Sequence, residues 1–235
     1  MTKYHVVLCL VLASALCSFS FYTGGNHIPV VNIVAPVNGS SVSRSSNIDY
    51  RINVTDKEDG STKYEEITQE EVFLKVKYLS SVKQVPAYLQ REKQLAKAFL
   101  TMRQSDCFNC HAVKQKLAGP SFSDIAVKYG ATAATYERLS KKIMKGSRGA
   151  WGDTQMPAHL NIKKEAATAI AKLVIQYGSD ANFDLYRGTE GIITLNKKKV
   201  KSPSSVMLLT AYYLDHGIEM KNRKEGSTTI RFFLK

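Results

Sequence analysis

Two hydrophobic periodicities follow one another along the chain. Residues 22–85 show the two-residue alternation of half-buried strands, which is clearest over 48–54 and returns over 72–78. A run rich in valine and isoleucine over 30–34 adds a further strand. The sequence therefore predicts three strands here, which are too few to close a sandwich.

From Pro86 the apolar positions recur at helical spacing, about 3.6 residues per turn. Four helical faces are predicted, over residues 95–102, 122–129, 136–143 and 162–177. Gly178 follows the last face and is typical of a helix end. A glycine-rich loop over 146–157 joins the last two faces. We therefore expect residues 87–178 to form an all-α unit.

Strand patterns return beyond Asp180, over 192–195, 206–213 and 230–234. Neither β portion is large enough to bury a core well on its own, so we expect both to complete one β-sandwich into which the helical unit is inserted. Two independent β appendages that flank the helices remain the alternative. The predicted boundaries are 22–85 and 181–235 for the two halves of the sandwich and 86–180 for the helical domain, and the fold class is α+β.

The first 21 residues are predicted to be a signal peptide. Lys3 supplies the positive start, residues 6–16 form an apolar run too short to span a bilayer comfortably, and residues 13–15 have the small-x-small pattern of a cleavage site. Cys17 raises lipidation as an alternative, although the bulky Leu16 precedes it. We therefore expect a periplasmic or secreted protein, with an uncleaved leader or a lipid as the routes to membrane association.

Composition and charge narrow the class of partner. The chain has 235 residues with 44% hydrophobic content, which is ordinary for a globular protein. Its net charge of +13 favours an acidic partner protein or an anionic membrane surface. The basic residues are spread along the chain and no nucleic-acid-binding module is recognisable, so we expect no nucleic acid partner.

The strongest chemical signal is Cys107-Phe108-Asn109-Cys110-His111, the spacing at which haem c is attached covalently. The two thiols would form thioethers to the haem, and His111 would be the proximal iron ligand. A thioredoxin-like redox pair would need a surrounding βαβ pattern, and a zinc site would need a second pair of ligands at suitable spacing. Neither is present in the sequence, so one covalently bound haem c is the predicted cofactor.

The second axial ligand has two candidates. Met156 lies in a loop 45 residues after His111, far enough along the chain to reach the other face of a haem, and a thioether is a common sixth ligand. His159 is the rival, and Met156 is favoured because a histidine before a helix is more often a surface residue. Pro120 would present its carbonyl to the histidine ring, or belong to an ordinary turn. Trp151 would reach a haem propionate, or be a core aromatic.

With these residues in place, residues 95–178 resemble a class I cytochrome c. Outside the haem motif the resemblance depends on five further segments, which are 119–121, 129, 145–146, 151–152 and 156–157. It implies that Met156 is the distal ligand, that Pro120 supports the histidine and that Trp151 points toward a propionate. Ala158 departs from the family, in which a second proline is common, and leaves the ligand loop slightly less stiff.

A wider resemblance covers the flanking segments. Residues 30–78 and 206–232 resemble the strands of an Ig-like or PKD-like domain, and the whole arrangement resembles the C-terminal region of PQQ-dependent sugar-dehydrogenase-like proteins of Bacteroidetes. In those proteins the cytochrome would take electrons from a preceding catalytic domain, and with both axial ligands retained we expect this chain to be an electron carrier rather than an enzyme. Its donor would be a separate extracytoplasmic dehydrogenase of the PQQ type, and its acceptor a terminal oxidase or another cytochrome.

Six basic residues predict a positive collar around the haem edge, and it would speed docking to an acidic redox partner. They are Lys114, Lys116, Lys141, Lys142, Lys145 and Arg148. Two other functions remain open. The β-sandwich would be a docking module for a carbohydrate or protein and would carry the cytochrome, or the iron would keep an open site and act as a peroxidase-like haem enzyme.

Overall fold

Strands from before and after the helical unit pair with one another in two sheets. The computed structural model describes residues 25–43, 47–194 and 205–235, so the predicted signal peptide at 1–21 and the last residue of the predicted strand at 192–195 lie outside the described residues. The strands are β1 (Val30–Ala35), β2 (Ser41–Val42), β3 (Ile48–Asp56), β4 (Gly60–Ser61), β5 (Phe73–Leu79), β6 (Ser147–Gly149), β7 (Gly152–Met156), β8 (Phe183–Arg187), β9 (Glu190–Ile193), β10 (Val206–Leu214) and β11 (Glu225–Leu234).

The first sheet is built on β3, which pairs antiparallel with β1, β4 and β9. The second sheet has the order β2-β11-β10-β5-β8 and is antiparallel except where β2 runs parallel to β11. Both sheets join strands from opposite sides of the helical unit: Tyr50 lies opposite Gly191, and Val76 lies opposite Leu209. The chain therefore leaves the sheets after β5 and returns to them at β8.

The two sheets pack face to face around a shared apolar core. Ile52 and Val54 of the first sheet pack there with Leu74, Leu209 and Phe232 of the second. The alternation over residues 48–54 predicted such an inward face, and β3 does alternate between buried and exposed positions along its whole length. The apolar side chains of alternate positions therefore form the core between the sheets.

The helices are α1 (Val85–Gln104), α2 (Cys107–Cys110), α3 (Phe122–Tyr129), α4 (Ala133–Lys145) and α5 (Lys164–Ser179). Single 3-10 turns lie at Thr62–Tyr64, Gln69–Glu71 and Val82–Gln84. The first three predicted helical faces fall within α1, α3 and α4, and the fourth overlaps α5. Within the described part of the chain, no helix has both the length and the apolarity needed to cross a membrane.

Helix α1 begins ten residues before the helical face that the sequence predicts at 95–102. Three apolar side chains of its first turns, Val85, Tyr88 and Leu89, pack on the ends of two strands. Their partners are Leu79 of β5 and Val206 and Leu208 of β10. This apolar patch is complete only when the strands lie beside the helix. The periodicity of the helix alone therefore does not reveal it.

Gly178 has a different role from the predicted helix end. It lies inside the last turn of α5, and a side chain there would overlap the carbonyl oxygen of Phe122 at the start of α3. The glycine is therefore required by the close contact of two helices.

The sequence pattern also fails to predict β6, β7 and β8, as well as the two-residue strands β2 and β4. The glycine-rich loop at 146–157 contains the hairpin of β6 and β7, in which Ser147 lies opposite Met156. Strand β8 follows α5 directly, and only Phe183 of its five residues is fully buried. Such short, largely polar segments become strands through their partners rather than through their own periodicity.

The helical unit covers the outer face of the second sheet. Phe73 and Phe183 of that sheet belong to the same apolar cluster as Phe99, Met102 and Phe108 of the helices. Strand β5 therefore lies between two packed layers and is buried at all seven positions. The alternation over 72–78 predicts one solvent-facing side, and this prediction is wrong because the helices occupy that side.

Candidate functional site

The haem motif forms one side of a cavity of about 410 Å³. Asp106 adopts a left-handed conformation with φ of 57° and turns the chain from α1 into the single turn of α2. Cys107, Cys110 and His111 all line the cavity, and both thiols are free. Burial raises the pKa of the Cys107 thiol to about 11, so this thiol is protonated at neutral pH. The short helix therefore presents both attachment points and the candidate ligand to one space.

His111 is oriented by the backbone of Pro120. The Nδ1 atom of its ring lies 2.7 Å from the Pro120 carbonyl oxygen, which can only accept, so Nδ1 donates. Burial lowers the pKa of His111, which keeps the ring neutral at pH 7. In that tautomer Nε2 carries a free lone pair, as an iron ligand requires.

Gly119 supports the same ring, a role that sequence reasoning missed. A Cβ at this position would lie only 2.8 Å from Nδ1 of His111. The Gly119 amide also donates to the Cys110 carbonyl oxygen at 2.8 Å, which closes the loop behind the histidine. Because only glycine fits beside the imidazole, the glycine-proline pair after the motif is the signal that could have identified this contact.

Met156 ends strand β7 and lines the same cavity as His111. It also lines a deeper apolar pocket beside Ile143 and Val174. Gly146 holds the hairpin close, because a Cβ there would lie 2.7 Å from the Met156 carbonyl oxygen and its φ is +75°. The hairpin thus places a thioether in the cavity that holds the imidazole of His111.

His159 lines the cavity as well, but its ring nitrogens lie against backbone carbonyls. Nδ1 lies 3.3 Å from the oxygen of Ile143, and Nε2 lies 3.2 Å from the oxygen of Ser105. A neutral ring donates to only one of these carbonyls, but both nitrogens point at backbone oxygens, so neither is directed at a metal in the cavity. This arrangement favours Met156 over His159 as the second ligand.

Trp151 lies at the entrance of the cavity and is partly buried. Its ring packs edge-on against Tyr129 with centroids 6.2 Å apart, and the Lys128 ammonium lies 4.2 Å from its centroid. Lys128 also donates to the Ala150 carbonyl oxygen at 2.7 Å. These contacts fit a structural aromatic at the cavity wall, and the role of Trp151 toward a propionate stays a prediction.

The basic collar divides into two groups. Lys116 and Arg148 line the mouth of the cavity. Lys114 is paired with Asp184 at 2.6 Å, and Lys141 is paired with Glu137 at 2.9 Å. Two carboxylates, Asp106 and Asp124, line the same cavity, so only part of the predicted basic set lies at the cavity and its charge is offset there.

The donor set fits a covalently bound haem. The thiols of Cys107 and Cys110 are free to form thioethers, and the neutral imidazole of His111 has one nitrogen without a hydrogen-bond partner among the described residues. The Met156 thioether lines the same cavity. The remaining walls are largely apolar, which suits a macrocycle. Bound there, the group supplies one-electron exchange at its iron, while the chain attaches it, ligates it and shields it from water.

Comparison with known proteins gives the same assignment. Residues 95–176 match the family model described as cytochrome c. Cytochrome c-552 of Nitrosomonas europaea is 37% identical over 100 residues, which are 42% of this chain and 89% of the relative. Cytochrome c-551 of Pseudomonas aeruginosa is 36% identical over 73 residues, which are 31% of this chain and 69% of the relative.

Among solved structures, wild-type cytochrome c552 of Nitrosomonas europaea is 34% identical, with 32% of this chain and 94% of that chain covered and a TM-score of 0.31. The sequence match spans the cysteine pair, His111 and the hairpin that carries Met156. The chain therefore belongs to the cytochrome c family, its cofactor is a covalently bound c-type haem, and it transfers electrons.

Proposed function

We propose that His111 and Met156 hold the haem iron as its two axial ligands. The observation that carries this proposal is their placement in one cavity with both cysteines, while the Pro120 carbonyl leaves Nε2 of His111 free. With both axial positions filled by the protein, the iron exchanges electrons and has no open site for a substrate. The peroxidase-like alternative would need a displaceable ligand, which nothing in the site supports.

The test is Met156→Ala in protein that carries the covalent haem. We expect loss of the methionine–iron charge-transfer band and a lower reduction potential, because the thioether favours reduced iron. Met144→Leu is the matched control, since Met144 packs in the helical core and lies outside the residues that line the cavity. An unchanged spectrum in Met156→Ala would refute the ligand assignment and move attention to His159.

The route of the electrons follows from the charge and the resemblance together. We propose that the protein works in the periplasm or outside the cell, that a separate dehydrogenase of the PQQ type reduces it and that a terminal oxidase or another cytochrome oxidises it. The net charge of +13, with Lys116 and Arg148 among the residues that line the cavity, supports an acidic surface on these partners. A positive patch beside the site of electron exchange raises the rate of encounter with such a surface.

For the rest of the chain we propose an Ig-like β-sandwich, spanning 22–85 and 181–235, that carries the haem domain at 86–180 as an insertion. The pairing of β5 with both β8 and β10 supports this arrangement, because these strands lie on opposite sides of the helices in sequence. The shared core between the two sheets supports it as well. The sandwich then serves as the frame of the electron carrier.

A further inference from the structure

The haem attachment loop, by which we mean α2 and His111 (residues 107–111), packs against the second sheet through Phe108. Phe108, the first residue between the two cysteines, is 6% exposed and packs against Phe73 of β5 with ring centroids 5.1 Å apart. Phe99 of α1 and Phe122 of α3 complete its surroundings, at centroid distances of 5.8 and 6.1 Å. The attachment loop therefore packs against Phe73, a residue outside the region 95–176 that matches cytochrome c.

Arg187, at the end of β8, holds the same loop through polar contacts. Its Nη1 donates to the Phe108 carbonyl oxygen at 3.3 Å and to Oδ1 of Asn109 at 3.2 Å. Its Nε donates to the Glu70 carbonyl oxygen at 2.9 Å, and the guanidinium lies 5.3 Å from the Phe73 ring centroid. One cation thus joins the two residues between the cysteines to the edge of the sandwich.

Phe73 and Arg187 lie directly opposite each other in the β5–β8 ladder. Together we call them the loop clamp. On the far side of the loop, Phe108 contacts Phe122, whose ring centroid lies 6.3 Å from that of His111. A shift of the attachment loop would therefore move both cysteine thiols and the imidazole of His111.

We propose that the loop clamp is a positioning element for the haem, through which the sandwich fixes the attachment loop and favours the reduced iron. The chemistry is electrostatic and geometric. Reduction adds one electron, so a cation near the haem loop favours Fe(II), and hydrogen bonds to the loop hold the thioether carbons and His111 in place. The proposal rests on haem attachment at Cys107 and Cys110.

The test uses Arg187→Gln in the complete haem-loaded chain. We expect a lower midpoint potential, by less than about tenfold in the redox equilibrium constant or about 59 mV, since Arg187 is exposed and its charge is screened by solvent. We also expect the amides of residues 107–111 to exchange hydrogen roughly three- to tenfold faster in the haem-loaded variant than in the haem-loaded wild type. Arg187→Lys keeps the charge but not the forked contacts, so it should restore much of the potential while the loop still exchanges faster.

Arg51→Gln is the charge-matched control, because Arg51 is exposed on β3 in the sheet remote from the helices. It should change neither readout. Equal potential shifts in Arg51→Gln and Arg187→Gln, or wild-type exchange of the loop in Arg187→Gln, would overturn the proposal. If Arg187→Gln does not fold, wild-type loop exchange in Arg187→Lys would overturn it instead.

The outcome for the haem assignment is separate. Absence of covalent haem from the wild-type protein would refute attachment at the two cysteines. If the wild type carries covalent haem and Arg187→Gln changes neither readout, the loop clamp is refuted while the attachment at the two cysteines stands.

Discussion

Strands β3 and β5 have the same alternation in sequence and opposite environments in the fold. In β3 the apolar positions are buried and Arg51 and Asn53 between them face water. In β5 the positions between the apolar ones are also buried, with Lys75 2% and Lys77 5% exposed. The difference arises because β3 lies in an outer layer, whereas β5 is covered by the helical unit. An alternating pattern therefore predicts one buried face but leaves open what covers the other.

The buried lysine is accommodated by partners from the helices. Lys75 Nζ lies 2.9 Å from Oε2 of Glu92 in α1, and the Tyr177 hydroxyl donates to the same oxygen at 2.7 Å. The ammonium also lies 3.9 Å from the ring centroid of Phe99. Burial lowers the pKa of Lys75 to about 8, although the charge and hydrogen bond of Glu92 act in the opposite direction. The polar face of β5 is thus matched to the surface of the helices.

The match is reciprocal, because a helix cation also pairs with a strand carboxylate. Arg103 of α1 forms an ion pair with Glu225 of β11, and its guanidinium lies 4.7 Å from the Phe99 centroid. If the helices packed on the sheet in another way, these charges would be buried without a partner, which costs free energy. We infer that these pairs help to select the way in which the helical unit packs on the sheet.

The largest expected effect comes from Lys75→Ala. It leaves the Glu92 carboxylate buried without its counter-ion, so we expect the free energy of unfolding to fall by about 3–5 kcal/mol, measured by denaturant titration. The matched change in β3 is Arg51→Ala, which should alter stability by no more than about 0.5 kcal/mol because the side chain faces water. Similar losses in the two variants would show that the two faces are energetically alike.

Removing both charges sharpens the same comparison. Lys75→Met combined with Glu92→Leu leaves no uncompensated charge, so most of the lost stability should return. A double variant as unstable as Lys75→Ala would show that packing rather than charge explains the loss.

A smaller loss is expected for Lys77→Ala. Lys77 Nζ lies 2.5 Å from Oδ2 of Asp180, whose side chain is 24% exposed and can recover water after the change. We expect a loss of about 1–2 kcal/mol in the same titration. The ion pair of Lys114 with Asp184 is a more exposed reference, because the lysine side chain is 42% exposed. We expect this pair to contribute less than about 1 kcal/mol to stability. A larger loss for Lys77 than for Lys75 would contradict burial as the deciding factor.

The smallest effect is a pH dependence at His216, whose side chain is 39% exposed. Burial alone would lower the pKa of His216, but the hydrogen bond and charge of Glu71, together with the charge of Asp59, raise it above its usual value. A group with a raised folded pKa stabilises the protein fully below its unfolded pKa of about 6.5 and loses this contribution as pH rises through the folded pKa.

The stability difference between the wild type and His216→Gln measures this contribution. We expect the wild type to exceed the variant by less than about 1 kcal/mol near pH 5.5, because solvent screens the pair, and the charge contribution to be gone near pH 9. A difference that grows between these two pH values would have the wrong sign.

Much of the haem site follows from local sequence. The motif at 107–111 predicts covalent attachment, because two thiols and an imidazole at that spacing lie within one turn of chain. The pair at Gly119 and Pro120 predicts a carbonyl for the histidine, and the structure places that carbonyl 2.7 Å from Nδ1. The family match agrees with the haem assignment. The assignment of Met156 as ligand remains a prediction, supported by its place in the cavity.

The sequence by itself determined the covalent chemistry and the apolar faces of the principal helices and strands, because both depend on residues close together in the chain. Only the tertiary structure decided that β8 is a strand, that α1 begins at Val85, that Lys75 is buried and that Arg187 contacts the haem loop. Each of these depends on a surface contributed by a distant segment. Periodicity shows which side chains can be buried, whereas the packing of separate segments decides what buries them.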